Sequence, residues 1–256
     1  MTPPAGLWVE EAGPPEALPV VLVHGSMDRS AGLLKLSRRL DEQHRVIRYD
    51  RRGYGRSVEV GGPYTMAAHV DDLEHVVGER RMVLFGHSYG GNVALALAQR
   101  RQDLVQAVAV YETPLSWLDW WPVSTAGGDA LAAADGAPLV PADAAERFMR
   151  RLIGDERWSR LPARTRQARR AEGAAMVGEL DDLRWQPAWE PKGITAPVVA
   201  MRGADGAAHH RRSTAHLGSV LADCAVIDVR GARHFGPNTH PDAVAEIVHA
   251  LAIRTE

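Results

Sequence analysis

The sequence has very little cysteine and no excess of either charge. A single cysteine, Cys224, stands among 256 residues, so no disulfide can form within the chain and we expect a reducing, cytoplasmic location. The 30 basic and 32 acidic residues leave a formal net charge of −2, which argues against nucleic acid as a main partner. Cys224 lies in a strand-like run, where a small buried residue is expected rather than a nucleophile.

Long apolar runs are also missing. No stretch approaches the roughly 20 residues of a membrane span, and residues 1–19 carry neither the basic nor the apolar region of a signal peptide. We therefore expect no association with a membrane. A chain of this length buries roughly three quarters of its unfolded surface, so its stability requires neither a disulfide nor a metal ion.

The patterning of what is present predicts an α/β fold. Short apolar runs alternate with longer helical patterns, which is typical of a mostly parallel central sheet with helices on both faces. The predicted strands are residues 20–23, 45–49, 82–85, 104–110, 197–201 and 225–229. The predicted helices are residues 31–40, 65–77 (capped by Thr65), 91–100, about 209–221 and 241–252.

Residues 114–190 interrupt this alternation. They contain no convincing strand pattern, several helical stretches and six of the seven tryptophans. We therefore predict an α/β core formed by residues 1–113 and 191–256, with residues 114–190 as a helical insertion, here called the cap segment. Trp117, Trp120 and Trp121 follow closely after a core strand, so we expect them to line an apolar pocket for a small molecule.

The short motif GHSYGG, residues 86–91, lies between an apolar strand and an apolar helix. A sharp strand-to-helix turn forces its corner residue, here Ser88, into an unfavourable backbone conformation, and Gly86 and Gly90 allow the close backbone approach. The start of a helix also directs free N–H groups toward this corner. The context predicts a nucleophilic serine rather than an ordinary glycine-rich turn.

A serine hydroxyl needs a base and, behind it, a carboxylate. His234 follows the last strand, so it lies at the sheet edge that carries Ser88, and we predict it to be the base. For the acid two candidates stay open: Asp205, after the penultimate strand, is preferred because it gives the order Ser, Asp, His. Glu112, at the end of the strand next to Ser88, is the alternative.

With these residues in place, the chain resembles the α/β-hydrolase superfamily. The resemblance rests on His24-Gly25, the run DRRGYGRS at residues 50–57, the GHSYGG motif, Asp205 and His234. It implies a fold with a variable helical cap, which corresponds to the cap segment, and an oxyanion hole made by the N–H groups of Ser26 and Tyr89, with Met27 as the alternative to Ser26. One departure concerns the acid, which family members often place at the position of Gly206, one residue after Asp205.

The resemblance implies a serine hydrolase that cleaves a small carboxylic ester or related acyl bond through an acyl-enzyme. A C–C bond hydrolase, a lactonase, a thioesterase and a non-catalytic ligand receptor remain alternatives. No cofactor or metal is implied, because the pair His209-His210 lacks a convincing set of further ligands. We expect His24 and His87 to orient loops, and His209, His210 and His240 to lie on the surface. The expected partner is an apolar or aromatic small molecule, and monomer and homodimer both stay open.

Overall fold

The computed structural model describes residues 6–132 and 138–254. Within them the strands are β1 (Val9–Ala12), β2 (Pro19–Val23), β3 (Arg45–Tyr49), β4 (Met82–His87), β5 (Val105–Tyr111), β6 (Val198–Gly203) and β7 (Cys224–Val229). They form one sheet in the order β1-β3-β2-β4-β5-β6-β7. The first strand is antiparallel to its neighbour and the others are parallel. The predicted mostly parallel α/β sheet is confirmed.

The strand β1 is the element that the sequence pattern did not reveal. Its sequence is VEEA and its side chains are half-buried or exposed, so it carries no apolar run. It is held at the sheet edge by backbone pairing with β3 and by ion pairs such as Glu11 with Arg45 and Glu10 with Arg48. An edge strand with a charged outer face is a common way of preventing further strand addition.

Helices cover both faces of the sheet. The core helices before the cap segment are α1 (Leu34–Leu40), α2 (Met66–Val77) and α3 (Tyr89–Arg100). The cap helices are α4 (Ala126–Leu131), α5 (Pro141–Ile153), α6 (Asp155–Arg160), α7 (Ala163–Ala171) and α8 (Gly173–Trp185). The core helices after the cap segment are α9 (Ala208–Val220), α10 (Gly236–Thr239) and α11 (Pro241–Ile253). The apolar faces of α1 and α11 share one core cluster with the sheet, and those of α2, α3 and α9 share another. Alternate strand residues supply both clusters, as expected for a sheet buried on two sides.

The described part of the cap segment is helical, and it has a small core of its own. Phe148, Met149 and Met176 from the cap pack with Met27 and Tyr54 from the two loops beneath it. Trp158 is fully buried there, and its indole N–H donates to Glu146 Oε1 at 3.1 Å. The third cluster therefore joins the cap to the loops that follow β2 and β3.

A buried ion pair fixes the cap to the α/β core. Glu179 of α8 and Arg51 are both fully buried, with Arg51 Nη1 at 2.7 Å from Glu179 Oε2. The hydroxyl of Tyr54 donates to Glu179 Oε1 at 2.6 Å, and His69 Nε2 lies 3.2 Å from Oε2. Burial alone would raise the pKa of Glu179, but the charge of Arg51 and the hydrogen bonds hold it well below its usual range.

Across the described residues, no helix combines the length and the apolar character that a bilayer crossing needs.

Candidate active site

Ser88 lies at the corner between β4 and α3. Its backbone has φ 53° and ψ −125°, a region that is costly for a residue with a side chain. The turn requires glycine on both sides: a Cβ at Gly86 would lie 2.5 Å from the carbonyl oxygen of Gly90, and a Cβ at Gly90 would collide with the backbone of Val23. The geometry is that of a nucleophile elbow.

The imidazole of His234 is held by a carboxylate. Its Nδ1–H donates to Glu112 Oε2 at 2.8 Å, which leaves Nε2 as the nitrogen able to accept a proton. The loop that carries His234 is fixed from below, because the Tyr111 hydroxyl donates to the carbonyl of Arg233 at 2.8 Å. Ser88 and His234 line the same two cavities, so a substrate in either can meet both.

Glu112 lies at the carboxyl end of the central strand β5. It follows β5 with φ 48° and is 1% exposed. While Oε2 accepts from His234, Oε1 accepts the backbone N–H of Gly203 at 2.9 Å. Both oxygens of a buried carboxylate thus have donors, which is what keeps such a group tolerable away from water.

Asp205 occupies a different place. It is exposed, and its backbone N–H donates to Ala232 at 3.0 Å. The hydrogen bond that the described structure gives to His234 Nδ1 goes to Glu112. The carboxylate that contacts His234 is therefore that of the alternative candidate, Glu112, and not that of the preferred Asp205.

The physical reason is visible at Gly206. A Cβ there would lie 2.5 Å from Glu112 Oε1, so a side chain at this position would point into the space that the Glu112 carboxylate fills. Gly206 is the position at which the superfamily resemblance places the acid. The carboxylate thus approaches His234 from the end of β5 instead, and Gly206 leaves the room for it.

His24 and His87 orient loops, as predicted. His24 Nδ1–H donates to the Gly25 carbonyl at 2.8 Å and Nε2 accepts the N–H of Arg51 at 2.9 Å. His87 Nε2–H donates to the carbonyl of His234 at 2.8 Å. Burial, together with the neighbouring charge of Arg51, lowers the pKa of His24 to about 3, and burial lowers the pKa of His87 to about 4. Both imidazoles are neutral at pH 7.

The prediction that His210 lies on the surface is wrong. Its side chain is 12% exposed, and its ring stacks on that of His234 with centroids 4.7 Å apart and planes 17° apart. Burial lowers the pKa of His210 well below its usual value. The available signal was position, because α9 starts five residues after β6 and its first turn lies at the same sheet edge as Ser88.

His209 is half-buried beside His210, with Trp121 at 5.0 Å between ring centroids. His240 lies outside this group, and its Nδ1 is 2.9 Å from the hydroxyl of the exposed Thr239.

The candidate oxyanion donors surround Ser88. Tyr89 is the first residue of α3, so its N–H is one of the helix-start amides that lack a partner within the helix. The loop after β2 approaches from the other side: a Cβ at Gly25 would lie 2.9 Å from Ser88 Cβ. Ser26 lines both cavities with Ser88. Met27 has φ 56° and a buried side chain directed into the cap core.

Two cavities meet at Ser88. The larger, about 680 Å³, extends beneath α4 and α8, and the smaller, about 340 Å³, extends beneath α5 and α7. Phe148 and Leu152, one turn apart on α5, line both cavities.

Of the three tryptophans expected in the pocket, the structure places Trp121 on the lining of the larger cavity. Trp117 instead packs edge-on against Trp189, with ring centroids 5.7 Å apart. Trp120 lies against His216 and under the guanidinium of Arg212. Both pack on the main core cluster, which corrects their assignment, because the chain turns back toward α9 after β5 and only the last of the three faces the cavity.

Other reactive groups are placed as follows. Cys224 is half-buried on β7, and burial raises its pKa to about 11, so the thiol is not ionised at pH 7. In the described part of the chain, the donor atoms of Glu112, His210 and His234 lie within 4.8 Å of one another. They are the group there that could hold a metal ion.

Known proteins resemble this chain in sequence. A sequence profile of the alpha/beta hydrolase family matches residues 20–247. The chain is 28% identical over 172 residues to a proline iminopeptidase of Xylella fastidiosa, covering 61% of this chain and 54% of that one. It is 24% identical over 252 residues to a 2-(acetamidomethylene)succinate hydrolase of Mesorhizobium japonicum, covering 90% and 86%.

Solved structures resemble the whole fold. An esterase from Thermogutta terrifontis superposes with a TM-score of 0.75 at 22% identity, covering 97% of this chain and 93% of that one. An enol-lactonase from Burkholderia xenovorans LB400 gives 0.72 at 22% identity, covering 96% of each. At this identity the likeness concerns the fold alone.

Because the profile spans most of its length, the chain belongs to the alpha/beta hydrolase family. The proline iminopeptidase match extends over about half of that relative's length, so membership supports hydrolase chemistry in general and leaves the bond open.

Proposed function

We propose that the protein is a serine hydrolase that cleaves a carboxylic ester or a related acyl bond. The observation that carries the proposal is the arrangement at the carboxyl ends of the strands: Ser88 lies at a strained corner, His234 lines the same cavities, and the buried Glu112 lies 2.8 Å from His234 Nδ1. A hydroxyl, a base and an orienting carboxylate are the components of nucleophilic acyl transfer.

In this mechanism Ser88 Oγ attacks the carbonyl carbon while His234 Nε2 takes its proton. Glu112 holds the other nitrogen as N–H and stabilises the imidazolium that forms. The N–H of Tyr89, with that of Ser26 or Met27, stabilises the oxyanion. The imidazolium then protonates the leaving group, which departs and leaves an acyl-Ser88. Water, deprotonated by the same imidazole, releases the acid.

The pair of cavities supports a substrate with two sizeable halves. Cavities of about 680 and 340 Å³ on either side of Ser88 would take the acyl and leaving-group portions separately. The larger contains Trp121, Leu180 and Leu183, which favours an apolar or aromatic group there. We propose that p-nitrophenyl esters of longer aliphatic or aromatic acids are better substrates than p-nitrophenyl acetate.

The test is a panel of p-nitrophenyl esters of increasing acyl length, with a lactone, a thioester and a proline arylamide beside them. Ester turnover by the wild type, with Ser88→Ala lower by about four orders of magnitude in kcat, supports the proposal. Equal turnover by Ser88→Ala would overturn it. Faster turnover of the lactone, thioester or amide would leave the proposed serine mechanism unchanged and identify that bond, rather than the ester, as the one cleaved.

A further inference from the structure

His210 brings a second imidazole, besides that of His234, close to the carboxylate of Glu112. It belongs to the first turn of α9, and its Nε2 lies 3.8 Å from Glu112 Oε2. Its ring is stacked nearly parallel to that of His234. The acyl-transfer mechanism above assigns His210 no step, although the ring is mostly buried and its Nδ1 has no hydrogen-bond partner among the described residues.

The three side chains present two nitrogens and one oxygen within 4.8 Å of one another. Bonds from Zn²⁺ to imidazole and carboxylate are about 2.0–2.2 Å, so tetrahedral ligands lie roughly 3.4 Å apart. The separations from Glu112 Oε2, 2.8 Å to His234 and 3.8 Å to His210, lie on either side of this value. His210 and His234 also line the larger cavity, from which water can supply a fourth ligand.

We propose that Glu112, His210 and His234 form a binding site for a transition-metal ion, with Zn²⁺ the best match to the ligand set, and that the bound ion switches the enzyme off. The binding step stands on the three side chains alone. The inhibition rests on the proposed function.

The expected inhibition depends on which nitrogen of the His234 imidazole carries the ring proton. In the resting enzyme Nδ1 of His234 carries the proton and Nε2 carries the lone pair that accepts the proton of Ser88. A metal ion takes the lone pair of Nδ1, so the ring proton must reside on Nε2. No atom is gained or lost from the neutral ring, but its unprotonated nitrogen, Nδ1, is now bound to the metal. Nε2 carries the proton, so Ser88 loses its proton acceptor.

The site is tested by isothermal titration calorimetry of the protein with ZnCl₂, without substrate. The variants His210→Gln and His210→Phe remove the ligand, and the second keeps an aromatic ring on His234. His216→Gln is the matched control, since His216 lies on the same helix against Trp120. We expect one zinc per chain for the wild type and the control, with affinity at least about tenfold weaker in both His210 variants.

Wild-type affinity in a folded His210 variant, or no zinc binding by the wild type at 100-fold excess over protein, would overturn the site. Thermal melts of each variant establish folding.

The inhibition is tested by the labelling rate of Ser88 with a fluorophosphonate, with and without ZnCl₂. We expect zinc to slow labelling of the wild type at least about tenfold, EDTA to restore it, and the His210 variants to resist. Labelling that zinc leaves unchanged would overturn the switch, while absence of labelling without zinc would refute the proposed function and leave the calorimetric result standing.

Discussion

Glu112 lies where the neighbouring strands β5 and β6 end. Its position explains why Glu112, and not Asp205, contacts His234, which the sequence alone did not decide. Its carboxylate bridges Gly203 of β6 and His234, while Gly206 supplies the space beside Oε1. A carboxylate after either strand reaches the same point at this edge, so the sequence left Asp205 and Glu112 as competitors. The decisive detail, a missing side chain at Gly206, acquires meaning only in three dimensions.

At this residue scale we predict that Glu112→Gln lowers kcat/KM for an ester by about 10³-fold or more, because the amide disfavours the tautomer with a free Nε2. Asp205→Asn is the matched control, and its kcat/KM stays within about threefold of the wild type. Steady-state kinetics with p-nitrophenyl butyrate gives the comparison. The reverse order, a large loss in Asp205→Asn and none in Glu112→Gln, would restore Asp205 as the acid.

Among the elements, α5 and α8 connect the cap to catalysis in different ways. The helix α5 contributes Phe148 and Leu152 to the linings of both cavities. The helix α8 inserts Glu179 onto Arg51, whose guanidinium also donates to the carbonyls of His24 at 3.0 Å and Gly25 at 3.1 Å. One buried charge therefore supports both the cap and the loop beside Ser88.

For α5 we predict that Leu152→Ala enlarges the space that both cavities share and raises the catalytic efficiency with bulky esters relative to small ones. The ratio of kcat/KM for p-nitrophenyl octanoate to that for the acetate rises about fivefold to tenfold, the size expected for a few methylenes of pocket space. Val140→Ala, an exposed cap position outside both cavity linings, is the control. An unchanged ratio in Leu152→Ala would show that the Leu152 side chain does not limit the size of the substrate.

For α8 we predict that Glu179→Ala lowers the free energy of unfolding by about 3–5 kcal/mol, because it leaves the fully buried Arg51 without its counter-charge. Asp181→Ala, exposed on the same helix, changes it by less than about 0.5 kcal/mol. Urea denaturation followed by tryptophan fluorescence measures both. Equal stability of the two variants would mean that the ion pair contributes nothing to the attachment of the cap.

At the scale of the whole molecule, apolar periodicity was enough for the parallel core, because strands β2 to β6 are largely buried apolar runs and the core helices have clear apolar spacing. It was not enough for β1, which is charged and stabilised by pairing, nor for His210, whose burial depends on α9 folding over His234. Trp117 and Trp120 were misassigned for a related reason. Proximity in sequence to the sheet edge does not specify which way a side chain points.

The buried neutral histidines predict how stability varies with pH. The pKa values of about 3 for His24 and about 4 for His87 lie below 6.5, the value of an unfolded histidine. As pH falls from 6.5 toward 4 the unfolded chain binds protons that the folded chain refuses, so stability decreases, by up to about 1.4 kcal/mol per pH unit for each histidine. Urea denaturation between pH 7 and pH 5 measures this slope.

A second denaturation series on His87→Gln identifies the source, because removal of one such histidine makes the dependence shallower. A free energy of unfolding that is constant from pH 7 to pH 5 would contradict the neutral, buried state assigned to both rings.

The central claim is that Ser88 is a nucleophile activated by His234 and Glu112, and covalent labelling tests it most directly. The wild type, Ser88→Ala, Glu112→Gln and Asp205→Asn are each incubated with a fluorophosphonate and followed by intact mass spectrometry. We predict one adduct on the wild type and on Asp205→Asn at similar rates, a much slower adduct on Glu112→Gln, and none on Ser88→Ala. An adduct of equal rate on folded Ser88→Ala, or none on the wild type, would contradict the account.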